Sequence, residues 1–203
     1  ISADYGYMQL AGRPKQGQSL EEVRDLLLGE VAKLRAGEFD EKLIAAAKEK
    51  GNVLHFGYMY RYNPDIAGLI DQVKRGELGK IISVEAQMNC SHPKEVRQWL
   101  KDFPGGMMFF LGCHLIDLIL TIQGTPEKII PLNKCSGIDV TDSMDFGMAV
   151  FEYKNGVSFA KASAVELGGF ARRQLVVTGS KASVELNPLE WYLPNDPTYE
   201  FLY

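Results

Sequence analysis

The chain has 203 residues, of which 46% are apolar and 24% are charged, and its net charge at pH 7 is −4. This composition is ordinary for a globular protein with enough residues for one large domain or two small ones. The acidic balance argues against a nucleic-acid-binding protein, which would carry a basic patch, and no run of about 18 apolar residues is present that could span a membrane.

The three cysteines, Cys90, Cys113 and Cys135, are an odd number without metal-ligand spacing. They indicate reduced thiols and a cytoplasmic protein. The chain opens on Ile1 and shows no signal-peptide pattern, so we expect a fragment.

The first fifty residues have a helical character, apart from a short strand expected at 3–11. Ser19 and Glu22 have the spacing of a capping box, in which each side chain bonds the other residue's amide. A helix ending near Gly37 is predicted after it, because apolar residues follow at helical spacing: Leu20, Val23, Leu26, Leu27, Val31 and Leu34. Asp40 is expected to cap a second, shorter helix.

The middle of the chain alternates strands with helices. Strands are predicted at 53–56 and 81–88, and a helix that starts at Pro64 is predicted to run to residue 75. Residues 91–104 indicate a polar loop or short helix. After Gly105-Gly106 an apolar helix is predicted to end near Gly124.

The C-terminal part of the chain has β patterning, with hairpin turns predicted at Asn155-Gly156 and at residues 179–182. The predicted strands cover 128–132, 144–153, 157–165, 174–178 and 183–186. Residues 52–186 therefore predict an α+β fold, a mostly antiparallel open sheet with helices packed on one face. A small helical segment precedes it, and a complete Rossmann domain is not expected.

His114 and Asp117 are the ionisable residues that stand out, because they lie three positions apart on one face of the apolar helix. A buried unpaired polar group costs about 1–3 kcal/mol, so each needs a reason to be there. His114 is either a structural histidine, satisfied by a carbonyl or by Asp117, or a proton acceptor beside a cavity.

Other polar residues carry weaker signals. Arg61 is either a surface charge or points into a cleft from a strand end. His55 is expected to be structural, and His92 to be exposed. Asp139, Asp142 and Asp145 lack the further ligands and the glycine of a calcium loop, so no metal is expected. Gly105-Gly106 lacks the lysine and hydroxyl residue of a phosphate loop.

Residues 52–186 resemble the C-terminal half of the glucose–fructose oxidoreductase / inositol dehydrogenase (Gfo/Idh/MocA) family. Five pieces occur in the family's order: VLHFGYMYRYNP (53–64), GELGKIISVEAQ (76–87), the Gly-rich turn with LGCHLIDL (105–118), FEYKNGVSFAKAS (151–163) and VVTGSKASVELN (176–187). The first piece is similar to the last strand of the family's nucleotide-binding domain, and the rest are similar to its substrate domain.

The resemblance implies NAD(P)-dependent oxidation or reduction of a sugar, polyol or related compound. It implies that His114 takes the proton from a substrate hydroxyl while hydride passes to the nicotinamide. Arg61 and Asp117 are our candidates for binding or orienting the substrate. A homo-oligomer through the β-sheet face is a further expectation. Many members carry an aspartate four residues before the histidine, and here that position is Phe110. The family's glycine-rich dinucleotide domain and its Glu-Lys-Pro lysine are absent from these 203 residues.

Residues 12–44, GRPKQGQSLEEVRDLLLGEVAKLRAGEFDEKLI, are similar to a non-catalytic segment of insulinase-like (pitrilysin) zinc metallopeptidases. Those enzymes need a His-x-x-Glu-His motif, which this chain lacks, so no peptidase activity is expected. We expect a composite of a peptidase-like segment (1–50) and a truncated substrate domain (51–203), inactive alone and without a bound cofactor. The alternatives are a non-enzymatic β-sheet oligomerisation module and an inactive metallopeptidase fragment.

Overall fold

The computed structural model describes residues 12–36, 43–51, 57–189, 191–192 and 201–202. The chain divides into two compact units, residues 1–57 and 58–203. Three of the sequence predictions, the strands at 3–11 and 53–56 and the Asp40 cap, lie outside the described residues, as does His55. Among the described residues, no helix has the length and apolar character needed to cross a membrane.

The first unit contains α1 (Leu20–Ala36) and α2 (Leu43–Glu49). The predicted capping box is confirmed. The Ser19 amide donates to Glu22 Oε2 at 2.7 Å, and the Glu22 amide donates to Ser19 Oγ at 3.1 Å. Among the residues of this unit whose burial is described, Val23, Leu27 and Val31 on α1 are half-buried.

The second unit is built on a six-stranded sheet with the order β2-β3-β4-β1-β5-β6. All neighbouring strands are antiparallel except the central pair β1–β4, which is parallel. The mostly antiparallel sheet is therefore confirmed. The strands are β1 (Ile81–Asn89), β2 (Lys128–Lys134), β3 (Phe146–Tyr153), β4 (Gly156–Ser163), β5 (Gln174–Gly179) and β6 (Ser183–Leu186).

The helices of this unit are α3 (Pro64–Lys74), α4 (Lys94–Trp99), α5 (Met107–Phe110) and α6 (Gly112–Gln123). Single 3₁₀ turns cover Met59–Tyr62, Leu100–Asp102, Ile138–Val140 and Gly169–Arg172. A two-stranded ribbon pairs β7 (Trp191–Tyr192) with β8 (Phe201–Leu202). The side chain of Asn63 caps α3 by accepting from the amides of Asp65 and Ile66, and Pro64 occupies the first turn.

The core forms where α6 lies on the two central strands. Its buried side chains recur at helical spacing: Leu115, Leu118, Ile119 and Ile122. The facing strand positions are fully buried and mostly small: Val84, Ala86 and Met88 on β1, and Ala160 and Ala162 on β4. Small side chains let the helix approach the sheet closely, so α6 is held in one position along the strands.

The turn glycine at the start of β4 generates a stability prediction. A Cβ on Gly156 would collide with the carbonyl oxygen of Ile82 on the neighbouring strand. Gly156→Ala is expected to lower the free energy of unfolding by about 1–3 kcal/mol. Gly68 in α3 has open space around its Cβ position, and Gly68→Ala is expected to raise that free energy by up to about 1 kcal/mol. Urea unfolding of both variants measures the difference, and equal stabilities would contradict the packing described.

Candidate functional site

His114 is presented by the first turn of α6, just after a break in the helical backbone at Leu111. The Gly105–Gly106 turn positions this break. Both glycines have a positive φ, 86° and 53°, and a Cβ on Gly106 would collide with the carbonyl oxygen of Met144. That oxygen accepts a hydrogen bond from the Met107 amide at 2.8 Å. The start of the helix is thus pinned to the segment that precedes β3.

The imidazole of His114 is half-buried between two tyrosine rings. Its centroid lies 5.2 Å from that of Tyr60 and 6.2 Å from that of Tyr58, and both rings meet it edge-on. His114 Nδ1 is buried and has no hydrogen-bond partner among the described residues. Burial lowers the pKa of His114 below its usual value, and the nearby Asp117 carboxylate opposes that shift. The imidazole is therefore neutral at pH 7 and can accept a proton.

Arg61 and Asp117 form a two-pronged ion pair beside His114. Arg61 Nε donates to Asp117 Oδ2 at 2.5 Å, and Arg61 Nη2 donates to Asp117 Oδ1. The carboxylate is 9% exposed, whereas the arginine side chain is 45% exposed. The hydrogen bonds that Arg61 donates to Asp117 raise the pKa of Arg61, so the guanidinium stays charged. The pair ties the Met59–Tyr62 turn to α6, one helical turn from His114.

One of the weaker candidates, His92, has different surroundings from those expected, and Asp145 has a structural role. His92 is half-buried rather than exposed, because its ring packs 6.2 Å from that of Phe110, and burial lowers its pKa. Asp145 is fully buried and accepts from the Ser136 amide at 2.8 Å and from Arg97 at 3.4 Å. Asp139 also pairs with Arg97. These carboxylates anchor the loop between β2 and β3.

Phe110, the last residue of α5, belongs to a cluster of aromatic rings. Its ring meets Trp99 at 5.5 Å, His92 at 6.2 Å and Phe103 at 6.3 Å. Position 110 therefore supplies an aromatic ring to this cluster and no carboxylate to His114. The aspartate that many relatives place there has no counterpart in this site.

Sequence reasoning missed the two tyrosines that flank His114. Tyr60 is 7% exposed, and Tyr58 adopts φ 26° and ψ 55°, a left-handed backbone conformation that is uncommon for a residue other than glycine. The available signal was the alternation of tyrosines in Tyr58-Met-Tyr60-Arg-Tyr62. That pattern favours a strand, whereas the structure forms a 3₁₀ turn.

Among the described residues, no group of three metal-ligating side chains occurs. The Gly105–Gly106 turn offers no cradle for a pyrophosphate, because the Met144 backbone occupies the space in front of Gly106. What the site does offer is one neutral imidazole and one oriented guanidinium.

Comparison with known families identifies the second unit. The family model for the GFO/IDH/MocA C-terminal domain matches residues 67–185, which is more than half of the chain and includes His114 and Asp117. An uncharacterized oxidoreductase of Schizosaccharomyces pombe is 28% identical over 92 residues, covering 44% of this chain and 25% of the yeast protein.

Solved structures share the fold. The WlbA dehydrogenase of Bordetella pertussis, in complex with NADH and UDP-GlcNAcA, has a TM-score of 0.65 and 17% identity, covering 73% of this chain and 48% of its own. The inositol dehydrogenase homologue of Azotobacter vinelandii, complexed with NADH and myo-inositol, has a TM-score of 0.63 and 21% identity. The match covers 80% of this chain and 45% of the Azotobacter chain. The chain thus spans a quarter of the yeast relative and less than half of either solved protein.

The ion pair generates a prediction for the pKa of His114. Asp117→Asn is expected to lower that pKa further, because the Asp117 charge favours the imidazolium and Arg61 would remain as a nearby cation. NMR titration of the histidine Cε1–H resonances measures the change. Asp71→Asn, an exposed carboxylate on α3, is the matched control and should leave the pKa of His114 unchanged. A rise in the Asp117→Asn variant would contradict the assignment.

Proposed function

Because the chain belongs to the GFO/IDH/MocA family through its C-terminal domain, we propose that residues 58–203 are the substrate-side domain of an NAD(P)-dependent oxidoreductase. Its substrate would be a sugar, a polyol or a related compound. The observation that carries the proposal is His114, a half-buried neutral imidazole at the start of α6, inside the region that matches the family. Relatives of the same fold that bind myo-inositol or UDP-GlcNAcA together with NADH support this substrate class.

His114 supplies the acid–base half of the reaction in this proposal. When a substrate hydroxyl is oxidised to a carbonyl, its proton must go to a base. The imidazole accepts the proton at Nε2, because Nδ1 is buried. A neutral imidazole at working pH is ready for that role without first losing a proton.

Arg61 and Asp117 act as orienting residues. Both carboxylate oxygens of Asp117 are engaged by Arg61, so Asp117 fixes the arginine instead of meeting the substrate. Two of the five guanidinium N–H groups point to Asp117, and the remaining edge belongs to a side chain that is 45% exposed. That edge is suited to hold a hydroxyl or carboxylate of the substrate beside His114.

The nicotinamide cofactor, NAD or NADP, would be held by a nucleotide-binding domain that the described residues do not build. We therefore propose that this chain is inactive alone and binds no dinucleotide by itself. Location in the cytoplasm belongs to the same proposal, and the three free cysteines are consistent with it.

A second role, as a homo-oligomerisation module, is favoured by the sheet face opposite α6. Paired positions on β2, β3 and β4 line it with apolar side chains in adjacent rows: Ile130, Val150 and Phe159, then Leu132 and Met148. Leu132 is 44% exposed. A second copy of the sheet would cover these side chains.

Binding of NADH by the isolated chain tests the assignment of the cofactor site. We expect no enhancement of nicotinamide fluorescence when the 203-residue protein is added to NADH, since the Gly105–Gly106 turn is occupied by the protein's own backbone. Isothermal titration calorimetry checks the same point. Tight binding would contradict the proposal that the cofactor site lies elsewhere.

Turnover of a hybrid enzyme tests the role of His114. A nucleotide-binding domain from an inositol dehydrogenase is joined to residues 58–203, and oxidation of polyols is followed by NADH absorbance. His114→Ala is expected to lower kcat by about 10²–10⁴-fold. Asp71→Asn, on the exposed face of α3, is the control that should keep full turnover. Unchanged kcat in the His114→Ala variant would refute the catalytic role.

A further inference from the structure

Tyr58 holds its aromatic ring against both functional groups of the candidate site. The Cζ atom of Arg61 lies over the face of this ring, 5.7 Å from its centroid. The imidazole of His114 meets the same ring with 6.2 Å between the centroids and an angle of 87° between the two planes. Tyr58 is half-buried. Its ring therefore stands next to both the guanidinium and the candidate base.

The backbone of Tyr58 is strained. Its φ of 26° and ψ of 55° belong to the left-handed region, where the Cβ atom of an L-residue is crowded and a bulky side chain is an outlier. Glycine would adopt this conformation at little cost. Among the described residues other than glycine, only Tyr58, Asp139 and Val140 have a positive φ. Strained residues of this kind cluster at functional sites, where the surrounding contacts hold them in place.

The conformation of Tyr58 places its ring by starting the Met59–Tyr62 turn. The carbonyl oxygen of Tyr58 accepts a hydrogen bond from the Arg61 amide at 3.1 Å, so the two residues stand at the ends of one 3₁₀ turn. Side chains three positions apart in such a turn lie on the same side. The backbone thus brings the Tyr58 ring and the Arg61 side chain together.

The ion pair with Asp117 holds only one edge of the Arg61 guanidinium. Nε and Nη2 donate to the two carboxylate oxygens, while nearly half of the arginine side chain is exposed. An aromatic ring over the face of a guanidinium attracts the cation and stacks on its plane. Asp117 therefore fixes the edge of the guanidinium, and Tyr58 restrains its face.

We propose that Tyr58 is a positioning residue, whose ring holds the Arg61 guanidinium so that its remaining N–H edge stays beside His114. The use of that edge to hold a substrate hydroxyl rests on the proposed function. The contact between Tyr58 and Arg61 does not, so the two can be tested separately.

Proton exchange at Arg61 tests the contact in the 203-residue protein. Tyr58→Leu keeps an apolar side chain but removes the ring face, and the exchange of the Arg61 Nε–H with water is expected to rise about 2–5-fold. Tyr58→Phe keeps the ring face and should exchange like the wild type. Nitrogen-15 NMR of the arginine side chains measures the rates. Asp117→Asn, which weakens the acceptor of this N–H, shows that the signal responds to a loosened guanidinium.

Arg97 supplies the internal reference for this measurement. Its Nε donates to the carbonyl oxygen of His92 at 3.1 Å, and it belongs to α4. A general loosening of the protein by Tyr58→Leu would raise exchange at Arg97 as well. A rise at Arg61 alone supports the proposal. An unchanged rate at Arg61, or an equal rise at Arg97, would overturn it.

Titration of the 203-residue protein with myo-inositol tests the consequence for the substrate. Binding is followed by NMR at the Arg61 Nε–H and the His114 Cε1–H. The Kd of the Tyr58→Leu variant is expected to be about 2–5-fold higher than that of the wild type, and Tyr58→Phe should restore the wild-type value. Equal Kd values for the wild type and Tyr58→Leu would contradict the positioning role. A wild-type protein that binds no polyol would count against the proposed function, and exchange at Arg61 would then decide the role of Tyr58 by itself.

Discussion

The packing of α6 on the small side chains of β1 and β4 is the constraint on which the rest of the second unit depends. Each fully buried leucine or isoleucine on that face contributes about 1.5–3 kcal/mol, whereas an exposed ion pair contributes about 0–1 kcal/mol. Hydrophobic contact therefore decides where the helix lies. His114 and Asp117 are carried to their positions by that contact, since they share the helix with Leu115, Leu118, Ile119 and Ile122.

The Arg61–Asp117 ion pair fixes the Met59–Tyr62 turn against α6. A carboxylate that is only 9% exposed needs hydrogen-bond donors, and Arg61 supplies two of them to Asp117, which fixes the orientation of the guanidinium. The guanidinium then holds the Met59–Tyr62 turn against α6, and the turn in its place sets Tyr60 edge-on to His114. One buried carboxylate thus organises an arginine, a backbone turn and the ring that covers the candidate base.

Local chemistry made much of this architecture predictable. The Ser19–Glu22 box, the Asn155-Gly156 hairpin and the helix that ends before Gly124 each depend on residues close in sequence, and each is present. The parallel pairing of β1 with β4 was not predicted, because it joins segments about 75 positions apart. The burial of His92 and of Asp145 was not predicted for the same reason. Phe110 contacts His92 from another element, and Arg97 contacts Asp145 in the same way.

Phe110 affects the pKa of His114, because it stands where an aspartate would supply a negative charge. A carboxylate at that position would stabilise the imidazolium and raise the pKa of the histidine, whereas Phe110 packs with Trp99 and leaves Asp117 as the charge that opposes burial. A base with a lowered pKa stays unprotonated to lower pH, but it accepts a proton with less driving force. In the function proposed for this domain, Phe110 therefore exchanges strength of the base for its availability, and the proton acceptor stays ready under more acidic conditions than it would with an aspartate at position 110.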